Sequence, residues 1–421
     1  MVHDTSSQRR PLLNALLRFR SYGVSGFAQG LNFLAMLLPI LGRETEQLAY
    51  LILPLAISGL CCRASTFAFP GRYLAIPDRL TRTASATAVL GLVLCTGILA
   101  LVALVLTGRS TYWGGVFAWS ALLTFTHGMY FTAIAVITRE RRMDLYARAR
   151  LVYGITNVVG TALVVFIIPF REGLVVVAGI ITATGSLIML TGATNRIIPA
   201  FLTDLPRILD RSHRRYVRGS LRASGAQLLT DLAFQIQGFA TPFLGAYQEV
   251  WAVALRLTGG FSGLAQQLIA PPFEMHISDG ARRSDNAAVR RWTLRGLLVS
   301  AMMAVVSAAV VIGAVLFAVD AGDLSFWGVA TIGVFAGGSL LISLVVKVPY
   351  ITGHDALYLT WSLLRPGLLG ASLLLLHDFP LLVAVAATQL ISAVAFLPLV
   401  LLPPVARVEP TPTPSPERTA S

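Results

Sequence analysis

Charge is scarce in this chain. Asp, Glu, Lys and Arg make up 13% of its 421 residues, against 55% hydrophobic ones, which leaves too little polar surface for a soluble globule of this length. Lysine is nearly absent, Lys347 being the lone one among 33 cationic residues. Cysteine is limited to Cys61, Cys62 and Cys95, all inside apolar stretches. They lack both the spacing of a metal site and that of a disulfide framework, so they read as core residues. No glycine-rich phosphate loop ending in Lys-Ser or Lys-Thr occurs, which argues against nucleotide hydrolysis by this chain. With no metal-ligand cluster either, no cofactor is expected.

What the chain has instead is long apolar runs. Twelve spans are expected, at 21–41, 47–64, 84–107, 114–138, 150–169, 173–192, 220–244, 249–275, 292–319, 326–348, 356–376 and 380–402. All should be helices, because a helix satisfies its own backbone in lipid and the alternating pattern of a barrel strand is missing. Tyr22 to Leu41 is long enough to cross a bilayer and ends without a small-residue cleavage site, so it reads as an uncleaved first helix. Arginine falls overwhelmingly in every second gap: Arg9 to Arg20, Arg63 to Arg82, Arg139 to Arg150, Arg196 to Arg222 and Arg282 to Arg295. Short loops rich in Lys and Arg stay on the cytoplasmic side, which predicts a multi-pass inner-membrane protein with both termini inside. The net charge of +13 thus sits against anionic headgroups, and no nucleic-acid partner is expected. The intervening loops are too short to hold the catalytic carboxylates of a membrane glycosyltransferase or polymerase.

The chain divides six and six. The boundaries expected are an N-terminal lobe over 1–192, a basic linker over 193–218, a C-terminal lobe over 219–403 and a disordered cytoplasmic tail over 404–421. The linker alternates apolar residues such as Ile197, Phe201 and Leu205 with Arg and Asp, as a segment lying along the inner membrane surface would. PILGRETEQLA (Pro39 to Ala49) and PFLGAYQEVWA (Pro242 to Ala252) share Pro, Leu, Gly, Glu and Ala at one constant offset. Asp144-Leu-Tyr146 and Asp355-Ala-Leu-Tyr358 echo each other at the starts of the two fifth helices. The fold class expected is therefore an all-α membrane protein of about twelve helices in two lobes related by an internal repeat. Paired lobes with a site between them are transporter architecture.

Ionisable groups inside a spanning helix are expensive, an Arg or Asp at the centre costing about 2.5–3.5 kcal/mol on insertion scales. Those present are candidate site residues. Gln227, Asp231 and Gln235 recur every four residues on the seventh helix, and Tyr22, Ser25, Gln29 and Asn32 form a stripe on the first. The two faces are expected to look at each other across a central cavity. Arg256 lies on the eighth helix with Gly259, Gly260, Gly263 and Gln267 continuing its face, and Arg365 precedes Pro366 midway along the eleventh. Either arginine suits phosphate, whose oxygens accept its planar fork, or pairs with Asp231 to lock the C-terminal lobe. His127 reads as an interhelical hydrogen-bond donor or a proton relay, and Gly333 with Gly337 as a close-packing pair.

With these segments in view, the chain resembles the polysaccharide flippases of the oligosaccharide-lipid type, in the superfamily of multidrug and toxin extruders and the lipid II flippase. The carriers are the Leu-Gly-x-x-x-Glu joint at Leu41 to Glu46, the Arg139 to Arg150 step, and the run from Phe243 to Glu274 ending at a helix-terminating Pro271-Pro272. The resemblance implies two lobes in a V, alternating access, and basic cavity residues facing a lipid-linked pyrophosphate sugar, carried here onto Arg256 and less directly Arg365. Lipid-linked oligosaccharide, membrane lipids, a coupling proton or sodium ion, and polysaccharide-assembly enzymes are the partners implied. The neutral stripe on the first helix departs from a strongly cationic cavity. A multidrug or metabolite antiporter and a membrane-embedded polysaccharide-synthesis enzyme are the alternatives.

Overall fold

The computed structural model describes residues 6–67, 78–193, 203–204, 206–211, 214, 217–218, 228–229, 232–319 and 325–404. The described residues are helical, without a strand. The first half runs α1 (Ser6–Leu41), α2 (Thr45–Ser65), α3 (Asp78–Thr107), α4 (Thr111–Arg139), α5 (Met143–Ala162) and α6 (Gly173–Gly192). The second runs α7 (232–239), α8 (Gln248–Leu264), α9 (Ala270–Arg282), α10 (Asn286–Ala318), α11 (Phe326–Leu340), α12 (Asp355–Leu375) and α13 (Asp378–Val400). Among the described residues seven helices are long and apolar enough to cross a membrane, and two shorter apolar ones, Gly26–Leu41 and Phe326–Leu340, join them. Of the other expected spans, the seventh is described only in part, the eighth is broken by a π-helical turn, and the eleventh carries Arg365 and Pro366.

The helices are inverted relative to those of a water-soluble protein. Leu94, Ile98, Leu101 and Val105 form an exposed apolar stripe along α3, as do Leu298, Met302 and Val305 on α10, the kind of contiguous apolar face that meets lipid. Their hydroxyls turn inward and back-bond to the preceding turn: Ser120 donates to the Val116 carbonyl at 2.7 Å and Ser186 to that of Thr182 at 2.7 Å. Since lipid is as apolar as leucine, these helices associate by close packing of small residues. A Cβ on Gly333 would lie 2.7 Å from the Ile312 side chain, so the Gly333/Gly337 face does pack α11 onto α10. His127 is satisfied within its own helix, its Nδ1 lying 2.9 Å from the Leu123 carbonyl, and not between helices as expected.

Two expectations about local structure need correction. Pro271 and Pro272 do not end a helix: a π-helical turn, Ala265–Ile269, absorbs the disruption and both prolines occupy the first turn of α9, where a missing N–H costs nothing. The echoed Pro-to-Ala turns also differ, since the left-handed residue is Arg43 (φ 56°) in the first half and Gly245 (φ 50°) in the second.

The core shows how the lobes meet. One apolar cluster joins both, with Leu48, Leu51, Leu123 and Val175 on one side and Leu244, Trp251, Phe335 and Leu381 on the other. Trp251 is fully buried, its ring 4.4 Å from that of Phe335 and its Nε1 donating to the Gln237 carbonyl at 3.1 Å. Except for Phe335, past the midpoint of α11, these residues belong to the helix halves near the Leu41–Thr45 turn and its equivalents. Toward the arginine-rich ends the core splits: Leu92, Val136 and Met189 cluster within the first half, and Ile277, Val345, Trp361 and Phe396 within the second. The lobes therefore share one apolar core at this sealed end and hold separate cores toward the other. Part of the linker is described, and Asp204, 3% exposed, holds it to the first lobe through Arg82 at 3.1 Å. The expected tail lies almost wholly outside the described residues.

Candidate functional site between the lobes

The cleft is lined from three helices. On α5, Tyr146, Arg150, Tyr153, Asn157 and Thr161 recur at spacings of four, three, four and four, which puts them on one face. That face meets α1. Arg150 Nη2 donates to Gln29 Oε1 at 2.7 Å, its Nη1 donates to the Tyr146 hydroxyl at 3.1 Å, and its guanidinium lies 5.4 Å from that ring's centroid. Asn157 Nδ2 donates to Asn32 Oδ1 at 3.1 Å, and the Thr161 hydroxyl donates to Asn157 Oδ1 at 3.3 Å. Gln29 and Asn32 thus direct these hydrogen bonds within the first lobe, while Gln227 and Asp231, two of the seventh-helix residues they are expected to face, lie outside the described residues. Nor is this wall neutral: Arg150, counted by sequence among the loop residues, sits two turns inside α5.

From the other lobe comes Arg256 on α8. Its Nε is buried, and it has no hydrogen bond or ion pair among the described residues. Tyr153 lies within electrostatic reach of both Arg256 and Arg150, and its ring packs 5.3 Å from Tyr130. Two guanidinium groups, one from each lobe, are therefore within electrostatic reach of one tyrosine. Gly260 turns α8 against α1, where a Cβ would lie 2.7 Å from Met36 Sδ, and Phe33 meets Phe261 edge-on at 5.4 Å. A Cβ on Gly259 or Gly263 would meet nothing within 4 Å, so Arg256 has open space along its own face.

The remaining expected site residues are distributed elsewhere. Gln235 of α7 packs against α2, so close that a Cβ on Gly59 would lie 2.6 Å from its Nε2. Arg365 Nη2 donates to Gln389 Oε1, and its guanidinium lies 5.6 Å from the Phe234 ring. It belongs to a seam inside the second lobe and does not join Arg256. Gln227 and Asp231 lie outside the described residues, as do the side chains of Tyr22, Ser25 and Gln267. Glu274 at the arginine-rich end is paired with Lys347 at 2.9 Å, and His276 is stacked on Trp292 at 4.1 Å.

At the sealed end the two repeat-related turns touch. The Thr45 hydroxyl of α2 donates to Glu249 Oε2 of α8, and Glu46, the repeat counterpart of Glu249, pairs with Arg171 at 3.3 Å. Arg171 also lies over the rings of Tyr50 and Tyr112, at 5.0 and 5.4 Å. Beside this latch is a cavity of about 340 Å³ lined by Glu46, Tyr50, Arg171, Gln248 and Glu249.

Solved structures with this arrangement exist. An inward-facing multidrug-resistance MATE family transporter of the MOP superfamily superposes with a TM-score of 0.55 at 11% identity, over 89% of this chain and 93% of that one. A MATE protein in the bent conformation gives 0.51 at 11%, over 90% and 94%. The Vibrio cholerae MATE transporter VcmN in the bent form gives 0.50 at 14%, over 90% and 97%. The chain has the MATE fold. No family model matches the sequence and no curated protein matches it, so the likeness lies in helix order and packing. The MATE fold accounts for two six-helix halves of a multi-pass membrane protein.

Proposed function

We propose that this protein is a membrane transporter that flips a lipid-linked oligosaccharide of the polyprenyl-pyrophosphate type across the bacterial inner membrane, by alternating access, for cell-surface polysaccharide assembly. The observation that carries the reading is the pair of guanidinium groups offered from opposite lobes within electrostatic reach of Tyr153, Arg150 on α5 and the unpartnered Arg256 on α8. A pyrophosphate carries two adjacent anionic groups and cannot cross hydrocarbon unpaired. Two planar forks, one on each moving body, suit it, and tyrosine rings beside them give sugar faces an apolar surface with a polar rim. With the arginine-rich loops cytoplasmic, the open end of the cleft faces the side where such a substrate is made, and both termini lie inside. The Thr45–Glu249 contact then closes the outer end and must break for release.

The MATE fold fits a multidrug antiporter equally well, and the two readings part at the charge of the site. An organic cation needs a carboxylate in the cleft, whereas the described cleft residues with charge are Arg150 and Arg256. Purified protein in liposomes decides between them. Translocation of a short-chain lipid pyrophosphate oligosaccharide, inhibited by inorganic pyrophosphate, is the expected result. Export of an organic cation such as ethidium, unaffected by pyrophosphate, would replace the flippase reading with the antiporter one.

A further inference from the structure

The second lobe holds a polar seam that the cleft does not use. Arg365 on α12 faces Gln389 on α13, and Trp361 Nε1 donates to the Ser392 carbonyl at 2.9 Å, so the two antiparallel helices meet along these residues. Four polar groups of the seam are left over. Arg365 Nε and Gln389 Nε2 are buried N–H donors with no acceptor, and the Ser362 and Ser392 hydroxyls, one turn away on the same two faces, are also unpartnered. Gln389 is 2% exposed and both serines 3%. Buried donors without acceptors are rare because each forfeits its hydration, and here one belongs to a fixed positive charge whose acceptor among the described residues is a single neutral amide oxygen. A buried cation needs a counter-charge.

The seam is also narrow. Direct contacts span it, from Arg365 Nη2 to Gln389 Oε1 and from Trp361 Nε1 to the Ser392 carbonyl, and a tetrahedral oxyanion would have to part the helices. We propose that this seam binds one monovalent, monatomic anion of the chloride class, held by Arg365 Nε–H and Gln389 Nε2–H with the Ser362 and Ser392 hydroxyls turned toward it. The ion neutralises the guanidinium within the lobe, and the second lobe carries it as a rigid unit through the transport cycle. The site is separate from Arg256 and stands whatever substrate the cleft takes.

The test is the thermal midpoint of the purified full-length protein in nanodiscs, with sodium chloride exchanged for sodium gluconate at constant ionic strength. Anything that binds only the folded state raises its midpoint in a saturable way. Wild type and Arg256→Gln are expected to gain several degrees with chloride, whereas Arg365→Gln gains none. Gln389→Met keeps the charge and the packing volume but loses the amide donor, and should move the chloride midpoint at least tenfold higher. That variant serves as the test should Arg365→Gln not accumulate. No chloride-specific shift in wild type would mean that water fills the seam, and a shift surviving unchanged in Arg365→Gln or Gln389→Met would place the anion elsewhere. Either result overturns the proposal.

Discussion

Replacing Arg256 by alanine separates a ligand-binding arginine from a structural one, because the two differ in the sign and size of the stability change. An arginine that neutralises a buried partner leaves an unpaired charge when deleted, and costs about 3–5 kcal/mol. Arg256 has no hydrogen bond or ion pair among the described residues and its Nε is buried unpartnered, so its deletion breaks nothing and relieves a desolvated charge. Arg256→Ala should therefore unfold at or above the wild-type temperature. Transport should move the other way. A hydrogen bond to a charged group is worth about 1.5–3 kcal/mol, and about 1.4 kcal/mol is a factor of ten, so translocation should fall between roughly tenfold and a hundredfold. Arg256→Lys keeps the charge without the fork and should lie between. The assay pairs a thermal unfolding scan with flipping of a lipid pyrophosphate oligosaccharide in liposomes. Destabilisation of Arg256→Ala by several kcal/mol, with both stability and transport restored by Asp231→Asn in the same chain, would refute this assignment, since the arginine would then have been neutralising that carboxylate.

Three further outcomes follow from the packing. In a background lacking Cys61, Cys62 and Cys95, Thr45→Cys with Glu249→Cys should cross-link on oxidation and stop transport until reductant is added; undiminished transport by the cross-linked fraction would mean that the sealed end need not open. Gly91→Ala should destabilise the protein by about 1–3 kcal/mol, because a Cβ there would lie 2.0 Å from the Ser65 carbonyl oxygen, whereas Gly59→Ala meets only the movable end of Gln235; equal melting temperatures for the two variants would contradict this reading of the helix contacts. Reporter fusions after Gly108 and Gly245 should report the outside and those after Arg142 and Arg283 the inside, a reversal at two or more of them being enough to invert the topology.

The sequence by itself determined the architecture. Apolar runs of bilayer length admit only helices, and the Pro39 and Pro242 turns mark two like halves, because lipid leaves a backbone few solutions. The helical spacing that puts Gln29 and Asn32 on one face applies equally to Tyr146, Arg150, Tyr153 and Asn157, yet Arg150 reads with the loop cations, since a cation near a span boundary reads alike as anchor or as ligand group. Only the tertiary structure brings Arg150 onto Gln29 and puts Tyr153 within electrostatic reach of Arg150 and Arg256. It also decided that Arg365 lies in a seam apart from Arg256 and that Thr45 meets Glu249, 204 residues along the chain. A helical period fixes which residues share a face, but the partner of that face is set by how whole helices pack, and closely approaching helices are chosen by small residues whose contacts carry no signal along the chain.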